Sequence, residues 1–204
     1  MDRRLKKWEI SLLFGVLFAL AMSCWLWNEQ KALGERVIRL HVIANSDSSR
    51  DQAIKLAVRD RILAKAELLY GSEATRSEAL EILSRSLPEL EEEGRMAAAE
   101  WDCDAPVSAR MEECWFPTKE YENFSLPAGE YTALRVVIGE GAGQNWWCVA
   151  FPPLCLGAAS ETMEQAVETG AFNEDQAGLM TEENQGYVLK FKALELLGYL
   201  RRLF

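Results

Sequence analysis

The sequence predicts an α+β fold: an N-terminal membrane or signal helix, then one two-layer domain. The predicted order is strand, helix, helix, a three-stranded meander and a C-terminal helix. Three observations predict it. Ile10 to Trp27 contains no charged residue and follows a basic cluster. Residues 49–101 carry apolar positions at helical spacing. Residues 107–151 hold three β-rich runs punctuated by proline and glycine. Helices grouped apart from neighbouring strands point to helices packed on one face of a mixed or antiparallel sheet.

Residues 1–28 read as a signal peptide or a signal-anchor transmembrane segment. The apolar run is about 27 Å long as a helix, close to the hydrocarbon thickness of a bilayer. Arg3, Arg4, Lys6 and Lys7 precede it, and such a flank stays in the cytoplasm. Everything beyond residue 28 is then exported. Ala19-Leu20-Ala21 offers the small-residue spacing of a cleavage site. Trp25 and Trp27 suit an uncleaved anchor instead, and both fates stay open. Residues 29–35 read as a polar linker.

The domain proper is expected over 36–156. Arg36 to Ala44 is rich in β-branched residues and reads as a strand. Asn45-Ser46-Asp47-Ser48-Ser49 supplies short side-chain oxygens that cap a helix. The helix runs from about Ser49 to Tyr70, with Ile54, Val58, Ile62, Ala66 and Leu69 on one stripe, and Gly71 stops it. A second helical region spans about Arg76 to Trp101 and is kinked or divided at Pro88. Glu89, Glu91, Glu92 and Glu93 read as a solvated face. Val107 to Phe116 is the next strand, ended by Pro117. Residues 157–185 are acidic and partly mobile by composition. Residues 186–204 form a last helix that packs on the domain.

Tyr131 to Ile138 and Trp146 to Phe151 read as the arms of a β-hairpin. GEGAGQN lies between them, and Pro152-Pro153 closes the second arm. This hairpin is the candidate partner-binding surface, through Trp146, Trp147, Glu130, Tyr131, Glu140 and Asn145. Adjacent tryptophans on a strand point to opposite faces, so one can be buried while the other anchors a partner. Cys148 and Cys155 bracket the Pro-Pro bend and read as a disulfide, worth on the order of 2–3 kcal/mol. Cys103 and Cys114 form a weaker second candidate.

Net charge is −10. Residues 1–27 hold the four basic residues named above against Asp2 and Glu9, which leaves −12 for the rest. Such a domain repels nucleic acid and anionic membrane surfaces. Any membrane association rests on an uncleaved N-terminal segment. No CxxC pair is present, and His41 is the only histidine, so neither a metal site nor a cofactor is expected. GEGAGQN lacks the lysine and following helix of a phosphate loop. Glu130 and Glu140 stand at the two ends of one arm, about 30 Å apart, too far to act as a hydrolytic pair. Glu130 is expected to pair with Arg135 or Lys119, or to meet the partner.

RLHVIANSDSSRDQAIKLAVRD at 39–60 and FPTKEY…LPAGEYTALRVVIGEGAGQNWWCVAFPPLC at 116–155 resemble stage II sporulation protein R of endospore-forming Firmicutes. KFKALELL at 190–197 is similar too. The resemblance implies a protein made in the forespore and exported into the space between the septal membranes. There it activates a membrane-embedded aspartic protease of the mother cell, which then processes the precursor of the early mother-cell sigma factor. It implies an activator rather than an enzyme, and no catalytic residues transfer. Residues 72–110, the stretch 157–184, Cys103 and Cys114 fall outside the resemblance. The alternative from another class is a septal cell-wall-binding or wall-remodelling protein.

Overall fold

A computed structural model describes residues 2–72, 74–121 and 125–154, with the side chains of 2–6, 23–31 and 33 left out. It divides into residues 1–33 and a unit from Gly34 onward. The first unit is helical: α1 runs Asp2–Gly34. The expected linker is therefore helical through Gly34. Among the described residues no helix is long and apolar enough to cross a membrane. The structure thus lends no support to a spanning segment, whose expected run continues into residues 23–27, outside the described side chains.

The second unit is built around β1, Ile38–Ile43, which is buried along its whole length. Such a strand needs cover on both faces and neighbours on both edges. Then come α2 (Ser49–Tyr70), α3 (Arg76–Arg85) and α4 (Leu87–Ala99), followed by β2 (Val107–Phe116). Short β3 (Lys119–Glu120) and β4 (Ser125–Leu126) pair with each other. β5 (Gly129–Ile138) and β6 (Asn145–Phe151) complete the described part.

The helices form as the sequence predicts. Ser48 Oγ accepts from Asp51 N–H at the start of α2, and Gly71 ends it at φ 72°. Pro88 sits in the first turn of α4, where its missing N–H costs nothing, so the expected division falls at Ser86. Ile54, Val58, Ile62 and Leu63 of α2 pack with Leu83 of α3, Leu90 of α4 and the sheet residues Leu40, Val42, Leu134 and Val136. The glutamates of α4 do more than face solvent. Lys65 meets Glu89 at 2.6 Å and Glu93 at 3.7 Å. Glu91 Oε1 accepts the backbone N–H of Ala109 on β2 at 2.8 Å.

The main sheet has the order β2-β5-β1-β6, which overturns the meander and the hairpin. β2 and β5 are antiparallel neighbours, with Val107 opposite Ile138 and Phe116 opposite Gly129. β5 then runs parallel to β1, with His41 beside Arg135. β6 lies on the far side of β1 and antiparallel to it, with Leu40 beside Cys148. The two expected arms never pair with each other, because β1 stands between them. The expected acidic segment 157–185, the C-terminal helix 186–204 and Cys155 lie outside the described residues.

Candidate interaction surface

The loop from Gly139 to Gln144 is an arch over the C-terminal end of β1. It crosses two strand spacings, about 10 Å. The polar segment after β1 holds it down. Asn45 Oδ1 accepts from Glu140 N–H at 3.1 Å, and Asn45 C=O accepts from Ala142 N–H at 3.2 Å. Ala44 C=O accepts from Gly143 N–H at 2.9 Å, and Asp47 Oδ1 accepts from Gln144 N–H at 2.8 Å. From α2, buried Lys55 donates to Gln144 C=O at 3.1 Å and to Gln52 Oε1 at 2.6 Å. Its pKa is lowered, chiefly by burial. Asp51 accepts from Asn45 Nδ2 at 3.0 Å and from Ser46 Oγ, and these bonds hold its carboxyl below the usual range.

Two glycines make the close fit. Gly139 has φ +57°, and a Cβ there would strike the Asn45 amide. Gly143 lies against the Ser46 carbonyl, with the Ser46 carbon 2.6 Å from where a Cβ would stand. The segment read as a helix cap and the segment read as a hairpin turn thus form one knot.

The two tryptophans point to opposite faces, as predicted. Trp146 lies on the helix-bearing face and is 37% exposed. The Arg59 guanidinium of α2 sits 4.5 Å above its ring, and Arg59 also pairs with Asp60 at 2.7 Å. Trp147 is half-buried on the opposite face and stacks on His41 at 3.8 Å and 17°. Phe116 meets Trp147 edge-on at 4.7 Å. Asn145 is exposed, and its Oδ1 accepts from His41 Nε2 at 2.7 Å. Tyr131 is buried and donates to Pro127 C=O at 2.7 Å. Glu130 and Glu140 are exposed at opposite ends of β5. Arg135, expected near Glu130, instead pairs with Glu112 at 2.9 Å.

Sequence reasoning missed the centre of the face opposite α2, α3 and α4. Arg39 is fully buried in β1. It donates to Cys148 C=O at 2.9 Å and to Tyr121 OH at 3.0 Å, and Tyr121 in turn donates to Trp147 C=O at 3.0 Å. The guanidinium lies 4.3 Å from the Phe116 ring centre and 5.0 Å from that of Tyr131. Among the described residues, Arg39 Nη1 and His41 Nδ1 are buried without a hydrogen-bond partner. Burial and Arg135 lower the His41 pKa against the opposing Asn145 bond. Tyr131, Asn145 and Trp147 therefore belong to one aromatic–cation cluster, and Trp146 stands apart. Cys148 is disulfide-bonded, whereas Cys103 and Cys114 are free thiols. The second candidate disulfide is not formed. Burial and nearby acids push the Cys114 thiol up to about 11.

The arch, β1 and β6 lie within the stretch that comparison with known proteins picks out. The family model for stage II sporulation protein R matches residues 34–161. The chain belongs to the stage II sporulation protein R family. It is 35% identical over 129 residues to stage II sporulation protein R of Bacillus subtilis strain 168. The match covers 63% of this chain and 58% of that relative. No solved structure matches. Its role therefore lies in sporulation. The family match takes in both ends of the knot, Asn45 and the arch, and leaves out most of α1.

Proposed function

We propose that this member of the stage II sporulation protein R family is an exported signal without catalytic chemistry of its own. It is sent from the forespore into the intermembrane space by the apolar segment near its N-terminus. There it binds the extracytoplasmic face of a membrane-embedded aspartic protease. Binding activates that protease to process the precursor of the early mother-cell sigma factor. Cys148 pairs with Cys155 in the exported state.

One observation carries this reading. Trp146, a large apolar side chain, is exposed at the root of an arch that the five hydrogen bonds named above hold in place. A rigid aromatic anchor beside a fixed loop binds with little ordering cost. Glu140, Ala142 and Gln144 of the neighbouring arch add exposed polar and small groups, the composition of an interface rim.

The test is reconstitution. The protease and the sigma-factor precursor are co-produced with the full chain or with its Trp146→Ala form, and cleavage of the precursor is followed by gel. Cleavage with the wild type and at least a tenfold loss with a folded Trp146→Ala form is expected. Equal cleavage with both removes Trp146 as anchor. No dependence on the chain at all refutes the activator reading.

A further inference from the structure

Among the described residues β2 is an edge of the main sheet. Pro106 C=O accepts from Gly139 N–H at 2.8 Å, and Pro106 and Gly139 stand opposite each other in the register that pairs Val107 with Ile138. Hydrogen-bonded pairs alternate along an antiparallel ladder. The even-numbered residues of β2 therefore bond to β5, and the backbone groups of 107, 109, 111, 113 and 115 point away from the sheet. Ala109 bears this out, because its N–H is taken by Glu91 Oε1 at 2.8 Å. No described residue supplies a partner for the outward backbone groups of Met111 and Glu113.

An edge whose outward backbone groups lack a described partner at Met111 and Glu113 accepts another strand there. Its side chains say which. On the face opposite α2, α3 and α4, β2 carries Ser108, Arg110, Glu112 and Cys114. If a second β2 runs antiparallel about Met111, Arg110 stands opposite Glu112 of the second copy, and Glu112 opposite Arg110. Both cross-strand pairs then have opposite charge, which favours the register. Centring the pair one residue later sets Glu112 against itself. Only the odd-numbered centre also matches the outward backbone groups: Met111 meets its own copy, and Ala109 meets Glu113. The Arg110 side chain is 58% exposed and free to turn outward from its present bond to Glu112 at 2.7 Å.

We propose that two copies of this chain join edge to edge through β2, antiparallel about Met111, into one continuous eight-stranded sheet. The contact is two-fold and self-complementary. It makes about six backbone hydrogen bonds. The two donated by Ala109 form only when Glu91 lets go. Glu91 is thus a latch: α4 holds the edge shut, and its release opens it to the second copy. The inference stands on the strand edge alone and does not depend on how Trp146 is used.

The register is testable with a native thiol. Ser108 lies opposite Cys114 of the second copy in a non-hydrogen-bonded pair, with Cα atoms about 4.5 Å apart, inside the range a disulfide spans. The full-length Ser108→Cys chain, in detergent, is treated with a thiol oxidant at alkaline pH and run on a non-reducing gel. A covalent dimer linked 108 to 114 is expected, and it should vanish when Cys114→Ser is added. Arg110→Glu in the same background should slow cross-linking at least about tenfold, since it sets like charges against each other at two pairs. Glu113→Pro removes an outward N–H without touching the β5 ladder and should do the same with unchanged circular dichroism. Glu91→Ala should speed cross-linking. A Ser108→Cys chain that stays monomeric while both thiols react with an alkylating agent overturns the proposal. So does a dimer linked 108 to 108, or one indifferent to Arg110→Glu.

Discussion

Replacing Gly143 by alanine should unfasten the arch. A Cβ at this position lies 2.6 Å from the Ser46 carbonyl carbon and 2.9 Å from the Ala44 Cβ. The first of these neighbours is backbone and cannot swing away. Either the arch lifts or the Asn45–Ser46 segment moves, and both break the same bonds. At stake are Gly143 N–H to Ala44 C=O, Ala142 N–H to Asn45 C=O and Gln144 N–H to Asp47 Oδ1. At about 1 kcal/mol net for each bond, the loss is about 2–4 kcal/mol, consistent with the cost of overpacking elsewhere. In a chain of this size that lowers the melting temperature by about 5–15 °C. The assay is thermal and urea unfolding of the full chain, followed by tryptophan fluorescence, since Trp146 and Trp147 adjoin the arch. Asn45→Ala is the companion. It removes the acceptor for Glu140 N–H and a donor to Asp51, and should cost about 1–3 kcal/mol. The double variant should lose less than the sum, because both changes act on one network. A Gly143→Ala chain within about 0.5 kcal/mol of wild type would refute the arch as a tightly fitted element.

The tryptophans should separate cleanly. Trp147→Ala empties a half-buried site against His41 and Phe116 and should cost about 2–4 kcal/mol in urea unfolding. Trp146→Ala loses chiefly one contact with Arg59 and should cost about 1 kcal/mol or less; the reverse order would show that the two faces have been misjudged. His41 has a folded-state pKa below its ordinary value of 6.5. As pH falls through about 6.5 the unfolded chain takes up a proton that the folded chain refuses, so stability is present above that pH and lost below it. Wild type should therefore lose more stability than His41→Gln between about pH 7.5 and pH 5.5, and parallel profiles would sink the assignment. Cys114, with its thiol at about 11, should react with iodoacetamide at pH 8 on the order of a hundredfold more slowly than a free model thiol. Labelling at the model rate would mean that its burial is transient.

The helices were legible because their signals are local. Ser48, Gly71 and Pro88 act within a turn of where they stand, and α2 begins and ends where the sequence places it. The same local logic was available for α3, whose Thr75 and Glu78 form a capping box. Sheet order is not local. Six residues between β5 and β6 suffice for a hairpin and also for an arch, since an extended chain of that length reaches about 20 Å. What decides between them is β1. Its residues Ile38 to Ile43 are all buried, so it needs a strand on each side, and it takes β5 and β6. The alternation of RVIRLHVIA hid this, because Arg39 and His41 look like solvent-facing positions. They are buried by Phe116, Tyr121, Tyr131 and Trp147, which arrive from sequence positions far away. Glu91 was misread for the same reason: nothing near it in sequence announces the strand edge it caps.

An arch over a central strand has a consequence that a hairpin lacks. A hairpin turn is fixed by its own two arms and can bend with them. This loop is fixed by Ala44, Asn45 and Asp47, which link β1 to α2, and by Lys55 of α2, so it cannot shift without disturbing the link between the central strand and that helix. The parallel pairing of β1 with β5 is closed by everything between them, from α2 to β4. Segments 39–60 and 129–154 are therefore halves of one element whose parts are complete only in the folded domain. A surface built this way is absent from the unfolded chain and fully formed after folding, with nothing left to order when a partner arrives. Under the proposed export, recognition through the arch would admit only the finished domain.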